Sequence, residues 1–355
     1  MDAGRIHGTA SLKPMSMSMS PNSVSSRWNV GDQLPALRIP LTTKTLLLQT
    51  VGNRDFFPYH HNAKYTTALG LRGPFFNTTF YQGLIGRYAT DQVGIALVRE
   101  MELSMLTQLC PGDTAVVTGT VTAVNATEPT PSVTIAVEVT NQFGPVARCT
   151  TVVQLPSSKG SFDPWIIRDP AVPATPDDAP VAAREVIGKV ERRTGPYPVS
   201  EAQIMYWCEM VRDAHPMYTD TPEARAGQWG GPIAPPQSLI IWGQPRATQM
   251  GVDFDHPDVD LPDEGAWPAP VPFKPFGFRV PGTTEIIVQK VQCSFGEPLR
   301  PGDTVGVESQ ILSCSSRKQT SIGDGYFVTF LERTSTARGD FAGNTVMSMF
   351  QYSPR

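Results

Sequence analysis

Asp55 and His60 lie five positions apart in the run Arg-Asp-Phe-Phe-Pro-Tyr-His, which occupies residues 54–60. A carboxylate and an imidazole that hold one water between them can move protons to and from a substrate, and imidazole titrates near neutral pH. Pro58 interrupts any helix between the two residues, so both side chains can converge from a fixed loop. The spacing therefore favours a general acid–base pair over a hydrogen bond that only stabilises the loop. His61 is the alternative imidazole.

The same run is written a second time with one important change. Residues 212–218 read Arg-Asp-Ala-His-Pro-Met-Tyr, 158 positions after the first copy. Arginine, aspartate and proline are kept, but Tyr218 stands where the first copy has histidine. We expect Asp213 and Tyr218 to support their loop rather than to catalyse, and His215 to be a surface group. The asymmetry favours an enzyme with one working half and one binding half.

A second pair of landmarks separates the two half-chains. Pro-Gly-Asp-Thr occurs at residues 111–114 and again at 301–304, and alternating apolar residues follow each copy. Pro-Gly-Asp predicts a turn, and the alternation predicts a half-buried strand. This offset is 190, so the second half carries 190 − 158 = 32 extra residues between its landmarks. Residues 252–275, crowded with prolines and acidic residues, predict a long irregular loop.

The composition allows two packed cores and argues against several classes of partner. The chain has 355 residues, 40% of them hydrophobic, and a formal net charge of −4 without a Lys/Arg cluster. This argues against a nucleic-acid or anionic-membrane surface, and no apolar run reaches the roughly 18 residues of a membrane span. The five cysteines are odd in number and never spaced as C-x-x-C. They predict reduced core thiols in a reducing, cytoplasmic compartment, and no metal site.

The first half shows a clear order of predicted elements. A strand-like stretch over residues 36–51 leads to the Asp55 loop, and a short helix is predicted over 63–69. Asn77 caps a longer predicted helix over 78–90, because its side chain can accept from the free N–H groups of the first turn. Strands are then predicted over residues 95–106, 114–125, 132–141 and 146–154.

The second half repeats this order. Ser200 caps a predicted helix over residues 200–211, and an apolar helix is predicted over 237–250. Strands are predicted over residues 285–295, 304–315, 325–338 and 344–352. A longish helix followed by long, mostly antiparallel strands predicts an α+β fold in which a curved sheet wraps around a buried helix. Two such sheets set edge to edge would satisfy their open strand edges.

Four segments follow from these landmarks. Residues 1–29 are expected to form a disordered tail, and residues 30–156 a first domain. Residues 157–180 are rich in Pro, Ser and Asp, which predicts a linker across the surface. Residues 181–355 are expected to form the second domain.

Three groups of residues in the first half resemble the MaoC-like (R)-specific enoyl-CoA hydratases of the hot-dog fold. They are the loop at 54–62, Phe-Asn at 76–77, and Leu-Ile-Gly-Arg-Tyr-Ala-Thr-Asp at 84–91. This half is similar in particular to the catalytic subunit of the heteromeric hydratases of steroid side-chain degradation. Residues 199–236, with the second copy of the loop and Gly-Pro-Ile-Ala-Pro-Pro at 231–236, resemble the FAS1-like dehydratase domain that serves as its partner.

The resemblance implies two hot-dog domains in one chain, of which the first is catalytic. The loop aspartate and histidine are the family's catalytic pair, which carries over to Asp55 and His60. Asn77 and Thr78 are implied as oxyanion and substrate-binding positions at the start of the central helix. Two positions depart from the family: a frequent glycine is Thr78 here, and a serine that often supports the aspartate falls near Gly86. The second half is implied to hold the acyl group and CoA without independent activity.

Hydration of a trans-2-enoyl thioester needs an activated water near the β-carbon, a proton for the α-carbon, and stabilisation of the enolate oxygen. The acid–base pair can supply the first two on one face of the alkene, each role typically worth about 10² to 10⁴ in rate. Free N–H groups at the helix start can supply the third. We therefore expect hydration of a trans-2-enoyl-CoA to the (R)-3-hydroxyacyl-CoA, or the reverse dehydration. The tyrosine-bearing half and its long loop suggest room for a bulky acyl group.

Other functions fit the same residues. A thioesterase on this scaffold would use a carboxylate to direct water at the thioester carbonyl. A non-enzymatic subunit would bind acyl-CoA without turnover, and a dehydratase of a polyketide-type pathway would act on a carrier-bound substrate. We expect an acyl-CoA ligand, no separate cofactor beyond the coenzyme A of the substrate, and a homodimer as the candidate assembly.

Overall fold

The computed structural model describes residues 27–246, residue 249 and residues 278–354. Most of the expected N-terminal tail and all of the expected loop over 252–275 lie outside these ranges. Within them, none of the helices combines the length and the apolar character that a bilayer span needs. All five cysteines lie within them, and each is buried with a free thiol.

The first half folds as one strand, then helices, then four strands. In chain order these are β1 (Gln33–Pro40), α1 (Thr43–Asn53), α2 (Ala63–Ala68), α3 (Thr78–Val93), β2 (Leu97–Met105), β3 (Thr114–Asn125), β4 (Ser132–Asn141) and β5 (Gly144–Gln154). A 3₁₀ turn over Pro58–His60 lies between α1 and α2. Residues 157–180 contain no helix or strand.

The second half repeats this order with shorter helices around its centre. In chain order the elements are α4 (Val181–Arg184), β6 (Val190–Thr194), α5 (Glu201–Val211), α6 (Pro222–Ala226), α7 (Leu239–Trp242), β7 (Glu285–Phe295), β8 (Val305–Cys314), β9 (Lys318–Thr320), β10 (Gly323–Thr336) and β11 (Phe341–Pro354). Two 3₁₀ turns, over Pro216–Tyr218 and Pro236–Ser238, precede α6 and α7 respectively.

One antiparallel sheet runs through both halves. Its strand order is β1-β3-β4-β5-β2-β7-β11-β10-β8-β6, with β9 paired to β10 off this path. Strands β2 and β7 join the halves, with Glu100 opposite Ser294 and Leu103 opposite Val291. The expected α+β fold, with two sheets set edge to edge, is therefore confirmed.

Helix α3 is the buried centre of the first half. Phe80, Leu84, Ile85 and Tyr88 are at most 1% exposed, and burying a large apolar side chain typically contributes about 1.5–3 kcal/mol. The Tyr88 ring lies against β3 at Gly119, where a Cβ atom would stand 2.8 Å from the ring. Glycine at this position lets the helix approach the strand closely, and so the sheet curves around α3.

Matched hydrogen bonds show that the two halves repeat at the level of the backbone. Leu41 N–H donates to Asp113 O at 2.8 Å, and Val199 N–H donates to Asp303 O at 2.8 Å. Each aspartate also accepts, through its carboxylate, from the amide three residues earlier, at 2.9 and 2.8 Å. The glycine before each aspartate has a φ of 94° or 92°, which that residue adopts without strain. The two Pro-Gly-Asp landmarks are equivalent turns.

Two predicted elements were wrong. The strand predicted over residues 36–51 ends at Pro40, and α1 replaces its second part because the Thr42 side chain caps a helix there. The helix predicted over 237–250 is broken: up to residue 246 only the 3₁₀ turn and α7 form, and α7 ends at Trp242 before Gly243. Pro245 follows soon after, and it has no N–H to continue the helix. Residues 247, 248 and 250 of that prediction lie outside the described residues.

Candidate active site

The loop that carries Asp55 and His60 is fixed at both ends. Thr42 caps α1, where its hydroxyl accepts from a first-turn amide at 3.3 Å, and α1 ends at Arg54 in the left-handed region with a φ of 55°. This turn directs the Asp55 N–H back to a carbonyl of the last turn of α1 at 3.1 Å. The 3₁₀ turn over Pro58–His60 then closes the loop, with proline presetting its first φ.

Asp55 and His60 meet across a short gap. His60 Nε2 lies 3.3 Å from Asp55 Oδ2, and His60 Nδ1 lies 2.7 Å from the carbonyl oxygen of Phe75. Because a carbonyl oxygen only accepts, Nδ1 must carry a proton and donate it. Nε2 is therefore the nitrogen that faces the carboxylate. The structure brings the predicted pair together.

The charges of the pair support each other. Burial raises the pKa of Asp55, but the His60 charge and hydrogen bonds from His60 and Asn77 outweigh it and leave the pKa below its ordinary value. Burial lowers the pKa of His60, but the Asp55 carboxylate outweighs it and leaves that pKa above its ordinary value. The carboxylate stays ionised, and the imidazolium persists to higher pH than a free histidine would allow.

The Asn77 side chain both binds the Asp55 carboxylate and caps the helix α3. Its Nδ2 donates to Asp55 Oδ2 at 2.8 Å, while its Oδ1 accepts from Phe80 N–H at 2.9 Å as the helix cap. That Oδ1 also accepts from Asn53 Nδ2 at 2.7 Å, and Asn77 N–H donates to Gln49 Oε1 at 2.7 Å. The predicted cap is confirmed. Gln49 and Asn53 were missed, because the strand predicted over residues 36–51 took the place of most of α1.

Thr78 is the first residue of α3, directly after Asn77. The amides of the first helical turn have no acceptor within the helix, and the Asn77 side chain occupies that of Phe80. The amides of Thr78 and Thr79 remain in the positions where a helix N-terminus stabilises negative charge. The structure thus sets Thr78 one residue from the side chain that holds Asp55.

His61 does not join the pair. Its Nε2 lies 3.0 Å from the carbonyl oxygen of Phe56, so the ring is turned to the backbone of the loop.

The Asp55 and His60 side chains are 15% and 8% exposed, so both are largely shielded but reachable. An open groove of about 470 Å³ lies elsewhere, on the outer face of the first sheet, and its lining includes Glu102 and Arg148 but neither member of the pair.

The second copy of the loop has the same backbone but different chemistry. Tyr218 N–H donates to His215 O at 3.0 Å, as His60 N–H donates to Phe57 O at 2.9 Å. His215 is 7% exposed, so its assignment as a surface group was wrong. The buried ring lies 4.9 Å from the Tyr218 ring, and its Nδ1 accepts from the Met217 amide at 3.4 Å.

The acid and the base of the second loop are both pushed towards their neutral forms. Burial raises the pKa of Asp213 to about 7, against weaker opposition from a backbone hydrogen bond. Burial lowers the pKa of His215 to about 4. Asp213 Oδ2, His215 Nε2 and the Tyr218 hydroxyl are buried without a hydrogen-bond partner among the described residues. The Gln237 amide lies near that hydroxyl, but the two do not meet hydrogen-bond geometry.

Comparison with known sequences finds relatives over parts of the chain. Residues 185–265 match the family model described as "FAS1-like, dehydratase domain region". A Thermomonospora curvata protein named "Probable enoyl-CoA hydratase alpha subunit" is 27% identical over 165 residues, which cover 46% of this chain and 48% of the relative. The Mycobacterium tuberculosis "3-oxo-4,17-pregnadiene-20-carboxyl-CoA hydratase alpha subunit" is 27% identical over 150 residues, covering 42% and 43%. The chain thus matches less than half of each curated relative.

Solved structures share the overall fold. A "MaoC-like dehydratase" superposes with a TM-score of 0.60 at 13% identity, covering 91% of this chain and 98% of the other. A Mycobacterium tuberculosis protein described as having a double hotdog fold superposes with a TM-score of 0.63 at 13% identity, covering 93% and 98%. The fold is therefore a double hot-dog. The resemblance to MaoC-like hydratases and to the FAS1-like dehydratase domain is confirmed.

Proposed function

We propose that the protein hydrates a trans-2-enoyl-CoA to the (R)-3-hydroxyacyl-CoA, or catalyses the reverse dehydration. The observation that carries the proposal is the Asp55–His60 pair, with His60 Nε2 facing the carboxylate at 3.3 Å, beside the start of α3. The relatives named as enoyl-CoA hydratase subunits support the same reaction. Asp55 and His60 are the proposed catalytic residues, with Thr78 as the oxyanion and substrate-binding position. Asn77, which was expected to share that role, donates its N–H to Gln49 and its Nδ2 to Asp55, and we propose that it positions the carboxylate.

In the proposed reaction, one water lies between the carboxylate and the imidazole. His60 Nε2 takes a proton from this water as its oxygen bonds to the β-carbon, and the alkene electrons move to the thioester oxygen. The N–H groups at the start of α3 stabilise the resulting enolate. The imidazolium then gives its proton to the α-carbon on the same face, which regenerates neutral His60. Asp55 orients the water and stabilises the imidazolium throughout.

The hydrogen bond of His60 Nδ1 fixes the orientation and the tautomer of the His60 ring. Because Phe75 O holds the Nδ1 proton at 2.7 Å, the neutral ring presents the lone pair of Nε2 to the water. A ring free to flip would spend part of its time in the unproductive tautomer. The site thus has a prepositioned base rather than a mobile one.

A panel of enoyl-CoA thioesters tests the proposal. Wild-type protein should remove the enoyl absorbance without releasing free thiol, whereas release of free CoA would mean hydrolysis and a thioesterase. His60→Ala should lower turnover by at least about 10². His61→Ala, which removes the adjacent imidazole, should leave turnover within about threefold of wild type. Equal turnover in wild type and His60→Ala would remove His60 from the mechanism. Binding without turnover in wild type would indicate an acyl-CoA-binding subunit.

We also propose a division of labour along the chain. Residues 30–156 form the catalytic domain, residues 181–355 the non-catalytic domain that holds the acyl group and CoA, and residues 157–180 the linker. A bulky acyl group is the proposed substrate, because one relative is named for a pregnadiene-carboxyl-CoA. The assembly is a homodimer or a complex with a second subunit, since both relatives are named as alpha subunits. Kinetics with short and sterol-like enoyl-CoAs, and the solution mass, distinguish these alternatives.

A further inference from the structure

Glu285 brings a buried carboxylate from the second half into contact with the catalytic loop. It is the first residue of β7 and is 3% exposed. Its Oε2 accepts one hydrogen bond from the Tyr59 hydroxyl and a second from the Tyr65 hydroxyl at 3.1 Å. Tyr59 directly precedes His60. The second half therefore touches the residue next to the proposed base.

A buried carboxyl group needs hydrogen-bond partners, because burial without them is energetically costly. Burying a charge without a partner is strongly unfavourable, and among the described residues two tyrosine hydroxyls, but no cation, pair with Glu285. Burial first, and then the nearby Tyr65 and Glu285, raise the pKa of Tyr59 well above its ordinary value. Both hydroxyls therefore stay protonated and act as donors to the carboxylate.

A short path of hydrogen bonds leads from this contact to the His60 ring. The Tyr59 carbonyl oxygen accepts from Phe75 N–H at 3.1 Å, and the Phe75 carbonyl oxygen accepts from His60 Nδ1 at 2.7 Å. The Tyr59 ring also packs edge-on against Tyr65, with 5.2 Å between centroids. Holding Tyr59 therefore holds the carbonyl that fixes the His60 tautomer. We call Glu285, Tyr59 and Tyr65 the tyrosine clamp.

Among the described residues, the clamp occurs at the loop of Asp55 and His60 and has no counterpart at the loop of Asp213 and Tyr218. The 158-residue offset places Met217 where the first loop has Tyr59, and the 190-residue offset places Ile95 where the second half has Glu285. Ile95 is 44% exposed and has no carboxylate to offer. An interaction needed only for folding would be expected on both sides of a repeated scaffold. Its presence beside His60 alone associates it with the chemistry.

We propose that Glu285 is a positioning residue for His60, supplied by the second half and acting through Tyr59. This inference rests on the proposed hydratase function. Without Glu285 the Tyr59–Phe75 segment loosens, Nδ1 loses its fixed acceptor, and the imidazole divides its population between two tautomers. The second half would thus contribute to turnover as well as to substrate binding.

Kinetics of three variants test the proposal. Glu285→Ala should lower kcat about tenfold, with KM changed less than about threefold, because the base and not the binding surface is disturbed. Glu285→Gln should restore most of the rate, since an amide oxygen also accepts from tyrosine hydroxyls. Glu332→Gln is the matched control at another carboxylate of the second half, 3% exposed and paired with Arg193 and Ser309 instead. It should leave kcat unchanged.

A double-mutant cycle tests the route through Tyr59. Glu285→Ala made in a Tyr59→Phe background should lower kcat by less than about a further threefold. In that background, residue 59 has already lost its hydroxyl and so its hydrogen bond to Glu285. Equal losses in both backgrounds would overturn the route. An unchanged kcat in Glu285→Ala, or the same loss in Glu332→Gln, would overturn the proposal itself.

Nitrogen NMR of ¹⁵N-histidine protein gives a readout that does not require turnover. The His60 signals are identified by their absence in His60→Gln and are recorded at a pH above the raised His60 pKa, where the ring is neutral. They should show the Nδ1-protonated tautomer in wild type and Glu285→Gln, and a tautomer mixture in Glu285→Ala. An identical tautomer and titration in wild type and Glu285→Ala would overturn the clamp. If no enoyl thioester is turned over by wild type, the proposed function fails, and the NMR comparison alone decides whether Glu285 positions His60.

Discussion

The two loops share a backbone and differ in the state of their charges. Asp55 and His60 form a mutually stabilised pair, with one pKa lowered and the other raised. Asp213 and His215 are buried without such a partner, with pKa values of about 7 and about 4. Since both loops begin at a left-handed arginine and contain a 3₁₀ turn, the loop geometry alone does not make a site. The residue at the end of the turn, His60 or Tyr218, determines whether the loop aspartate has an imidazole partner.

The helix N-termini that follow the two loops also differ, and again only the first half has groups suited to chemistry. The first half presents Asn77 and Thr78, which open a helix of 16 residues. The same 158-residue offset places Pro235 and Pro236 at the second start, and neither proline has an N–H group. The second half therefore keeps the shape of the turn but cannot offer amides at these positions to an oxyanion.

The two arginines at the loop starts link the halves in opposite directions. Arg54 donates to the carbonyl oxygens of Ile241 and Pro245 at 3.1 and 3.2 Å. Arg212 donates to the carbonyl oxygen of Pro40 at 3.3 Å. Each half thus anchors the loop of the other, so the second loop has a structural role whether or not it takes part in chemistry.

The largest expected effect separates the two aspartates. Asp55→Asn should lower kcat by at least about 10², because an amide cannot stabilise the imidazolium. Asp213→Asn should keep kcat within about twofold, since it alters only a buried group away from the proposed chemistry. Steady-state kinetics on the best enoyl-CoA of the panel measure both. A comparable loss in Asp213→Asn would end the distinction between a working and a non-working loop.

A smaller effect separates two helix caps. Asn77→Ala removes both the cap of α3 and the hydrogen bond to Asp55, so it should lower kcat about tenfold and stability by about 1–2 kcal/mol. Ser200→Ala removes the cap of α5, where the hydroxyl accepts from Gln203 N–H at 3.3 Å. It should lower stability by about 1 kcal/mol and leave kcat unchanged. Denaturant titration with parallel kinetics checks both, and equal kcat in the two variants would reduce Asn77 to a cap.

Stability as a function of pH tests the neutral state of the second loop. The folded pKa of Asp213 is about 7 against an ordinary 3.8, so the folded state keeps a proton that the unfolded state releases in this window. Stability is therefore lost as pH rises from about 4 to about 7, and Asp213→Asn avoids this loss. The advantage of the variant in free energy of unfolding should widen by about 1–3 kcal/mol from pH 5 to pH 9. A constant difference would mean that Asp213 titrates normally.

The smallest effect concerns the titration of the two loop histidines. His60 should titrate above the ordinary imidazole value of about 6.5, so kcat/KM should fall as pH drops through that raised pKa. His215 should stay neutral down to about pH 4. NMR titration of the two rings, compared with the acid limb of kcat/KM, checks this. An acid limb at or below about 6.5 would contradict the stabilising role of Asp55.

Much of the fold follows from the sequence because its cues are local. Asn77, Ser200 and the two Pro-Gly-Asp turns act within three or four residues, and each lies where it was predicted. The helix α1 was also within reach, since the 158-residue offset places Thr42 opposite the cap Ser200 and so repeats the helix α5 in the first half. The apolar and β-branched residues of that stretch had favoured a strand.

The support around the site could not be predicted in the same way. Gln49 and Asn53 reach Asn77 only because they lie on one face of α1, and that face exists only once the helix is known. Glu285 meets Tyr59 across 226 positions of the chain, a distance at which no local pattern operates. The sequence shows which groups can react, while their orientation depends on contacts that form only in the folded chain.

The presence of both copies in one chain lets the two loops differ from one another. In a dimer of identical subunits, every substitution appears at both loops at once, so an improvement at one place imposes a change at the other. Here one polypeptide chain covalently joins two unequal copies, so tyrosine or proline can stand in one copy where the other has histidine or threonine. Unlike the association of two separate subunits, the pairing of the two halves does not depend on protein concentration. Specialisation of one side for reaction and of the other for support is the freedom that this fusion permits.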